Sequence, residues 1–457
     1  MRIAIIGGGA TGALAALHLT RALPAGAAEI VVIEPRNDLG RGLAYATDDL
    51  GHLLNVRVAN MSAFPDEPDH LLGWLRRRGP ELGVPAADPF SFIPRSVYGA
   101  YVSDLAQQML ASGRARHVRD RCIDLAEQAE GVKLRLGSGE ALLADHVILA
   151  TGNDARPILA GVPAEQPWTS EALKGLEPKA PVLIVGTGLT MVDMALSLDR
   201  LGHCGPVTAL SRRGLLPEGH RRVTACDIAA EAVPFGAELS TLWAWLRGLA
   251  DRFTREGGDW RTAVDALRPH TRRLWRSMSL RQKRRFLRHA RPYWDVRRHR
   301  MAPAVEQRLN ALRASGRLQV GAGRIQATLQ GPAGVYVEIL RRGARTPEVR
   351  RFARLIDCTG LGDDIHRSAN PVILALLTRE QGRPDPLGVG LDIADDYAVI
   401  DAAGRPSRRI WAIGPLARAA FWESIAIPDI RQQCWDLAQA LAAQPGHDGP
   451  ARAASAV

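Results

Sequence analysis

An α/β fold is predicted by two stretches of the sequence that share one pattern, residues 3–34 and 181–213. Each stretch starts with a short, uninterrupted apolar run, passes through glycines into a helical pattern, and ends in a second apolar run. Uninterrupted apolar runs are typical of parallel strands that are buried on both faces of a sheet. The chain has 457 residues, of which 46% are hydrophobic, so it can bury the cores of two or three domains.

The first stretch contains the glycine spacing of a dinucleotide-binding turn. The apolar run 3–6 is followed by Gly7, Gly9 and Gly12 in the order G-x-G-x-x-G. The first glycine allows a tight turn, the second lets the backbone approach a pyrophosphate, and the third lets the helix pack closely on the strand. The free N–H groups at the start of the helix then favour an anion.

The rest of this stretch completes a strand, helix and strand unit. Leu14 and Leu17 recur at helical spacing, and residues 30–33 form the second apolar run. Glu34 ends that run, where a carboxylate can accept hydrogen bonds from a ribose hydroxyl. Together these features predict a Rossmann-like unit that binds a dinucleotide.

The second stretch repeats the unit with one departure in its glycine turn. Its first strand, 182–185, leads into Gly186 and Gly188, and its second strand is 207–210. Met191 stands where the third glycine belongs, so we expect this helix to lie farther from its strand.

The residues after the second strand differ between the two units and predict different nucleotides. Glu34 would repel a ribose 2′-phosphate, whereas Arg212 and Arg213 can bind one through charge-assisted hydrogen bonds. We therefore predict FAD in the first unit and NADPH in the second, with NADH as the alternative electron donor. The other interpretation of the two arginines is ordinary surface charge.

Two further apolar runs end in the same small residues and are both predicted to meet the flavin. The run "DHVILATGN" leads into Thr151 and Gly152, and the run "RLIDCTGLGD" leads into Gly360. Near the carboxyl end of the chain, "IPDIRQQCWDLAQAL" has a helical pattern with Pro428 in the first turn. The N-terminus of that helix would stabilise the negative charge of reduced flavin.

The order of these patterns predicts that the second unit is inserted in the first domain. An FAD-binding domain is expected at 1–165 and again at 351–445, because a strand and the helix with Pro428 follow the second unit. The NAD(P)H-binding domain is expected at 175–350, with an arginine-rich helical insertion at about 215–303. Residues 446–457 are predicted to form a flexible tail.

Several classes of protein are excluded by features that the sequence lacks. No run approaches the roughly 20 apolar residues of a membrane span, and the amino-terminal pattern fits a strand rather than a secretory signal, so a cytoplasmic location is expected. The five cysteines are scattered without a C-x-x-C pair, which argues against a flavin disulfide reductase. The histidines have no metal-ligand spacing, and no metal site is predicted.

The net charge of +11 is concentrated in a basic stretch that includes "RRLWRSMSLRQKRRFLRHARPYWDVRRHR". The charges alternate with apolar residues, as on the solvent-facing sides of helices, and no nucleic-acid motif accompanies them. We therefore expect solvated helix faces and no nucleic-acid partner. The alternative is an anionic substrate or a cofactor phosphate.

The string "GRGLAYATDDLGHLLNVRVANMSAFPDEPDHLLGWL" adds a family resemblance to these observations. With "FIPRSVYGAYV", "ALSRRGLLPEGHR", "RHARPYWDVRRHRMAP" and "FWESIAIPDIR", it resembles a bacterial family of FAD/NAD(P)-binding oxidoreductases. That family includes a two-domain FAD-dependent urate hydroxylase and flavin monooxygenases that oxidise the amino group of aspartate or asparagine. One departure is Arg57, where similar proteins are expected to have proline.

The resemblance implies a flavin monooxygenase that takes a small polar substrate and O2. NADPH would reduce FAD, reduced FAD would react with oxygen, and one oxygen atom would pass to the substrate. Urate hydroxylation to 5-hydroxyisourate in purine catabolism is the main prediction. The alternatives are N-oxygenation of an amino acid and an NAD(P)H:acceptor reductase that inserts no oxygen.

Four residues in the family-like loops are predicted to contact the substrate. They are Asn55, Met61, Ser62 and Arg95, which follow the flavin-binding unit in segments without helical periodicity. Arg95 could pair with an anionic substrate. The alternative is that both loops only surround the flavin ring.

Overall fold

The structure is a computed structural model that describes residues 1–84, 86–152, 161–169, 172–360 and 364–444. These residues form two compact units. The first contains the described residues of 1–46, 57–154 and 363–457, and the second contains those of 47–56 and 155–362.

The described residues contain fifteen β-strands and thirteen α-helices. The strands are β1 (Arg2–Ile6), β2 (Glu29–Ile33), β3 (Ala115–Val118), β4 (Cys122–Gln128), β5 (Gly131–Leu136), β6 (Ala141–Ala144), β7 (His146–Leu149), β8 (Val182–Val185), β9 (Val207–Ser211), β10 (Leu318–Gly331), β11 (Gly334–Arg341), β12 (Glu348–Phe352), β13 (Arg354–Asp357), β14 (Ala398–Ile400) and β15 (Pro406–Ala412). The helices are α1 (Ala10–Ala22), α2 (His70–Arg78), α3 (Arg95–Ala111), α4 (Leu189–Arg200), α5 (Leu239–Arg255), α6 (Trp260–Ala266), α7 (Thr271–Ser277), α8 (Leu280–Arg285), α9 (Arg291–Arg298), α10 (Pro303–Ala314), α11 (Pro371–Thr378), α12 (Arg418–Phe421) and α13 (Ile427–Ala442).

The first unit is built on a mostly parallel sheet with the strand order β14-β15-β7-β1-β2-β3. The central strand β1 pairs in parallel with β2 and β7, so that Ile3 lies opposite Ile30 and His146. Residues 3–6 are all buried, which explains the uninterrupted apolar run in the sequence. A three-stranded antiparallel sheet, β4-β5-β6, belongs to the same unit.

The second unit has its own sheet with the strand order β12-β11-β10-β9-β8-β13. Strand β8 pairs in parallel with β9 and β13. The long strand β10 pairs in parallel with β9 at its start and antiparallel with β11 farther along. Each unit therefore combines a parallel sheet with the glycine turn and helix of a Rossmann-like fold, and the predicted α/β fold class is confirmed.

The boundaries between the units differ from the predicted ones. The prediction assigns residues 351–445 to the first domain, but β13 pairs with β8 in the second sheet. The prediction also extends the first domain to residue 165, whereas Glu165 forms a parallel bridge with Ile356 of β13. Apolar runs that end in Thr-Gly occur in both units, so this pattern does not reveal which sheet a strand joins. The predicted tail, 446–457, lies outside the described residues.

Residues 47–56 also belong to the second unit, although the sequence places them inside the first domain. The Oγ of Ser197 on α4 donates a 2.7 Å hydrogen bond to Oδ2 of Asp49 and lies 2.8 Å from Nε2 of His52. Nη2 of Arg200 donates to the same Asp49 oxygen at 2.7 Å. Partners so distant in sequence leave no local signal of this contact.

The arginine-rich stretch forms the helices α5 to α9 of the second unit. Trp275 and Trp294 are buried in it, as expected for core aromatic residues. The side chains of Arg281, Arg284 and Arg285 on α8 are exposed, as the prediction of solvated helix faces requires. No helix in the described part of the chain is both long enough and apolar enough to cross a membrane.

A buried histidine ties the loop after residue 60 to α1 in the first unit. His18 on α1 lies with Nε2 3.0 Å from the carbonyl oxygen of Ala63, and its ring makes edge contacts with Phe64 and Trp435. Burial lowers the pKa of His18 to about 4, although the hydrogen bond to Ala63 opposes the shift. The imidazole is therefore neutral at pH 7 and donates its Nε2 proton.

His18 should make the protein less stable as the pH is lowered. The unfolded chain takes up this proton near pH 6.5 but the folded chain only near pH 4, so stability falls as pH drops through this interval. We expect His18 to contribute a loss of about 3 kcal/mol in the free energy of unfolding between pH 6.5 and 4. Urea unfolding at several pH values measures this loss, with His18→Gln as a non-titrating control that keeps an N–H donor. Equal pH slopes for the two proteins would contradict the prediction.

Candidate functional site

The glycine turn of the first unit is tight and leads into an open helix N-terminus. Gly7 has φ +102°, and a Cβ atom there would lie 2.5 Å from the carbonyl oxygen of Ala150. A Cβ atom at Gly12 would lie 1.8 Å from the carbonyl oxygen of Gly7. Gly9 precedes α1 without a side-chain cap, so the first N–H groups of that helix are available to an anion.

Glu34 follows β2 and contacts the glycine turn directly. Its Oε2 accepts a 2.8 Å hydrogen bond from the backbone N–H of Gly8, and its Oε1 accepts from the N–H and Nε of Arg36. Burial would raise the pKa of Glu34, but these hydrogen bonds hold it below the usual glutamate value. An ionised carboxylate therefore stands beside the turn, where a ribose hydroxyl could donate to it.

A second glycine-containing loop, residues 40–42, meets the first turn and was not identified from the sequence. A Cβ atom at Gly9 would lie 3.3 Å from Cα of Gly42, and the N–H of Gly40 donates to the carbonyl oxygen of Gly8 at 2.8 Å. The side chain of Arg41 between them has a buried Nε with no hydrogen-bond partner among the described residues. The sequence "LGRG" could have indicated this contact, because glycines on both sides of the arginine let the loop backbone approach another backbone closely.

One of the two strand ends predicted to meet the flavin lies at this edge of the first sheet. β7 leads into Thr151 and Gly152, and a Cβ atom at Gly7 would lie 3.1 Å from Cα of Thr151. Pro428 occupies the first turn of α13, which packs against α1. Just before that helix, Ser424 has a buried hydroxyl with no partner in the described part of the chain.

Gly360 is the exception among the predicted flavin residues. It follows β13, which lies beside β8 in the second sheet, so it belongs to the second unit. A Cβ atom at Gly186 would lie 2.1 Å from the carbonyl oxygen of Cys358, which stands two residues before Gly360. The residues after β13 therefore lie beside the second glycine turn, and a contact between Gly360 and FAD stays a prediction.

The four predicted substrate residues lie in different surroundings, and their contact with a substrate stays a prediction. Met61 and Ser62 are buried, at 1% and 0% exposure, and the Ser62 hydroxyl bonds the carbonyl oxygens of Phe64 and Glu67. Their side chains are part of the folded loop rather than open to a substrate. Arg95 is the first residue of α3 rather than part of a loop, and Asn55 lies in the second unit.

The second unit repeats the glycine turn in a looser form. Gly186 has φ +111°, and Gly188 precedes α4 with open space around it. The side chain of Met191 is buried at the position where Gly12 allows no side chain in the first unit. The start of α4 must therefore lie farther from its turn than the start of α1 does.

The loop after β9 is fixed to this second turn. Oγ1 of Thr187 lies 2.8 Å from Oγ of Ser211 and donates to the carbonyl oxygen of Leu215 at 2.6 Å. Of the two predicted phosphate-binding residues, Arg212 is exposed, whereas the guanidinium of Arg213 lies 5.1 Å from the ring centre of Tyr293. No pattern in the sequence indicates a contact with this tyrosine, which is 80 residues away.

Metal and disulfide chemistry have no residues to support them in the described part of the chain. Those residues contain no group of three or more His, Cys, Asp or Glu side chains that could hold a metal ion. The five cysteines are all free, and burial raises the pKa of Cys358 and Cys434 above the usual thiol value.

A comparison with protein families agrees with the predicted nucleotides. Residues 4–154 match the model of a family described as FAD-NAD(P)-binding. No curated protein matches the chain. The matched residues include the glycine turn, Glu34 and the end of β7, so the match supports FAD and NAD(P)H as the cofactors of an oxidoreductase.

Solved structures with this fold include several amine-directed monooxygenases. L-lysine 6-monooxygenase from Pseudomonas syringae has a TM-score of 0.67 and 18% identity, over 97% of this chain and 99% of that one. Ornithine N-hydroxylase from Kutzneria sp. 744, with reduced FAD, NADP+ and L-ornithine, has a TM-score of 0.64 and 13% identity, over 96% of this chain and 98% of that one. The FAD-bound cadaverine monooxygenase from Erwinia amylovora has a TM-score of 0.59 and 14% identity, over 96% of this chain and 93% of that one. At these identities the likeness establishes the shared fold.

Proposed function

We propose that this protein is an FAD-dependent monooxygenase that uses NADPH and hydroxylates the amino group of an amino acid or a diamine. The observation that carries the proposal is the likeness to the lysine, ornithine and cadaverine enzymes over nearly the whole of each chain. These matches favour N-oxygenation, the alternative in the sequence prediction, over urate hydroxylation.

The first unit offers the groups that FAD requires. The N-terminus of α1 and the close approach of Gly9 and Gly42 suit the pyrophosphate, and Glu34 suits a ribose hydroxyl. The buried, unpartnered polar atoms of Arg41 and Ser424 support a polar ligand in this unit. When held by these residues, FAD would supply the redox chemistry between NADPH and O2.

The remaining predicted residues would position the nucleotides and the substrate. We assign Thr151, Gly152 and Pro428 to FAD, since they lie at the carboxyl edge of the first sheet or at the start of α13. Arg95, at the start of α3, is a candidate for binding a substrate carboxylate through paired N–H donors. The chain then needs no strong acid or nucleophile of its own.

The nucleotide of the second unit would be NADPH. Gly186 and Gly188 precede α4 and would meet the pyrophosphate of NADPH, while Gly360 follows the adjacent strand β13. Arg212 and Arg213 follow β9, where the 2′-phosphate of the adenosine would lie.

Oxygen incorporation tests the proposal. The purified flavoprotein is supplied with NADPH and 18O-labelled O2, and with lysine, ornithine, cadaverine, aspartate or urate in turn. We expect at least one amine to accelerate NADPH oxidation and to gain one labelled oxygen atom, as measured by mass spectrometry. Labelled 5-hydroxyisourate from urate would support the other monooxygenase prediction instead. NADPH oxidation that leaves every compound unlabelled would overturn the proposal in favour of a reductase.

A further inference from the structure

One aromatic residue of the helical insertion lies at the nucleotide-binding edge of the second unit. Tyr293 on α9 places its ring 5.1 Å from the guanidinium carbon of Arg213, within the range of a cation–π contact. Among the described residues, no side chain or backbone group forms a hydrogen bond or ion pair with that guanidinium. The tyrosine ring is therefore the contact that orients Arg213.

The backbone that carries Arg213 is also held in place. Oγ of Ser211 accepts a 2.9 Å hydrogen bond from the N–H of Gly214. Because the hydroxyl of Thr187 donates to Leu215, the hydroxyl of Ser211 donates to Thr187. Gly214 has φ +63°, and a Cβ atom there would lie 3.1 Å from the backbone nitrogen of Ala322. The loop is thus fixed between the glycine turn and β10.

The contact with the Tyr293 ring leaves the N–H donors of Arg213 available. A cation–π contact uses no N–H donor of the guanidinium, whereas a phosphate is bound in the guanidinium plane through two parallel N–H donors. The part of the chain that carries Tyr293 is strongly basic, because residues 268–300 contain thirteen arginine and lysine residues and one acid, Asp295, and a net positive charge favours a dianion. That acid is itself paired with Arg291 at 3.2 Å.

We propose that Tyr293 is a positioning residue that holds Arg213 to bind the 2′-phosphate of NADPH, so that the helical insertion sets the preference for NADPH over NADH. The inference rests on the proposed use of a nicotinamide dinucleotide and identifies the residues that select it. Arg212, which is exposed and has no such support, would contribute less.

Binding of NADP+ and NAD+ to the purified flavoprotein, measured by calorimetry, tests this inference without turnover. Arg213→Ala should weaken NADP+ binding by about 10- to 100-fold and leave NAD+ binding within about twofold, as expected for loss of charge-assisted hydrogen bonds. Tyr293→Leu should weaken NADP+ binding by about fivefold, and Tyr293→Phe, which keeps the ring, by less than about twofold. The double variant should bind NADP+ no more weakly than Arg213→Ala alone.

A second arginine–aromatic contact in the same insertion provides the matched control. Arg273 lies 4.0 Å from the ring centre of Phe235, and Phe235→Leu should leave both affinities unchanged. Equal weakening of NADP+ and NAD+ by Tyr293→Leu, or the same loss in Phe235→Leu, would overturn the positioning role. Equal affinity of the wild-type protein for NADP+ and NAD+ would also overturn the inference. The proposed monooxygenase activity is tested separately, by the oxygen-incorporation assay.

Discussion

Gly12→Ala should yield a protein that does not retain FAD. A Cβ atom at this position would lie 1.8 Å from the carbonyl oxygen of Gly7, far inside van der Waals contact. That oxygen belongs to the backbone of the turn, so α1 would have to move away from β1 or the turn would have to open. Either movement displaces the helix N-terminus that we assign to the pyrophosphate. The flavin absorbance per mole of purified protein measures the effect, and we expect it to fall at least tenfold.

A matched glycine variant separates this effect from a general intolerance of alanine. Gly73 lies within α2, and the nearest atom to a Cβ there would be the end of the Arg77 side chain at 3.9 Å. Gly73→Ala should therefore retain FAD fully and gain stability, because alanine favours helix more than glycine does. Full FAD content in Gly12→Ala would contradict the assignment of this turn to the flavin.

Asp49→Ala should cause the second large loss, this time in the stability of the second unit. Burial alone would raise the pKa of Asp49, but hydrogen bonds from Ser197, Gly51 and Arg200 hold it below the usual aspartate value. Removing the carboxylate leaves the buried hydroxyl of Ser197 and the N–H of Gly51 without this acceptor, whereas the half-exposed Arg200 can still bond to water. We expect the free energy of unfolding at pH 7 to fall by about 3 kcal/mol, as measured by denaturant titration.

The pH dependence and a more exposed aspartate test this explanation of Asp49. Because its pKa is lowered on folding, its contribution is present above the usual carboxyl pKa of about 3.9 and is lost as pH falls through the folded value. The difference in the free energy of unfolding between wild type and Asp49→Ala should therefore become smaller below about pH 4. Asp199→Ala removes ion pairs with Arg308 and Arg317 and should cost less than about 1 kcal/mol. Equal losses in the two variants would refute the special role of the buried cluster.

The two glycine turns were predictable because their chemistry is local. Gly7, Gly9 and Gly12 act within one turn, and the apolar runs beside them reflect strands that are buried on both faces. Glu34 was also found, since it is the first residue after β2 in the chain. Its hydrogen bond to Gly8 was implicit in that position, because parallel neighbours end at the same edge of a sheet.

The burial of Met61 and Ser62 was not predictable from the sequence, because it depends on packing between distant parts of the chain. Met61 and Ser62 stand in a stretch that resembles the flavin family, but their side chains point into the core of the first unit. Burial of a loop side chain depends on what lies over it. Here the carbonyl oxygen of Ser62 accepts a hydrogen bond from Arg431, 369 residues later.

The sequence alone determined the fold class, the two glycine turns and the acid-versus-arginine difference between them, because each depends on residues within about one strand, helix and strand unit. The tertiary structure alone decided that β13 and residues 47–56 join the second unit, and that the ring of Tyr293 contacts Arg213. These are contacts between distant parts of the chain. Strand partners and buried ion pairs depend on which surfaces meet after folding. The residues next to them in the sequence do not indicate these partners.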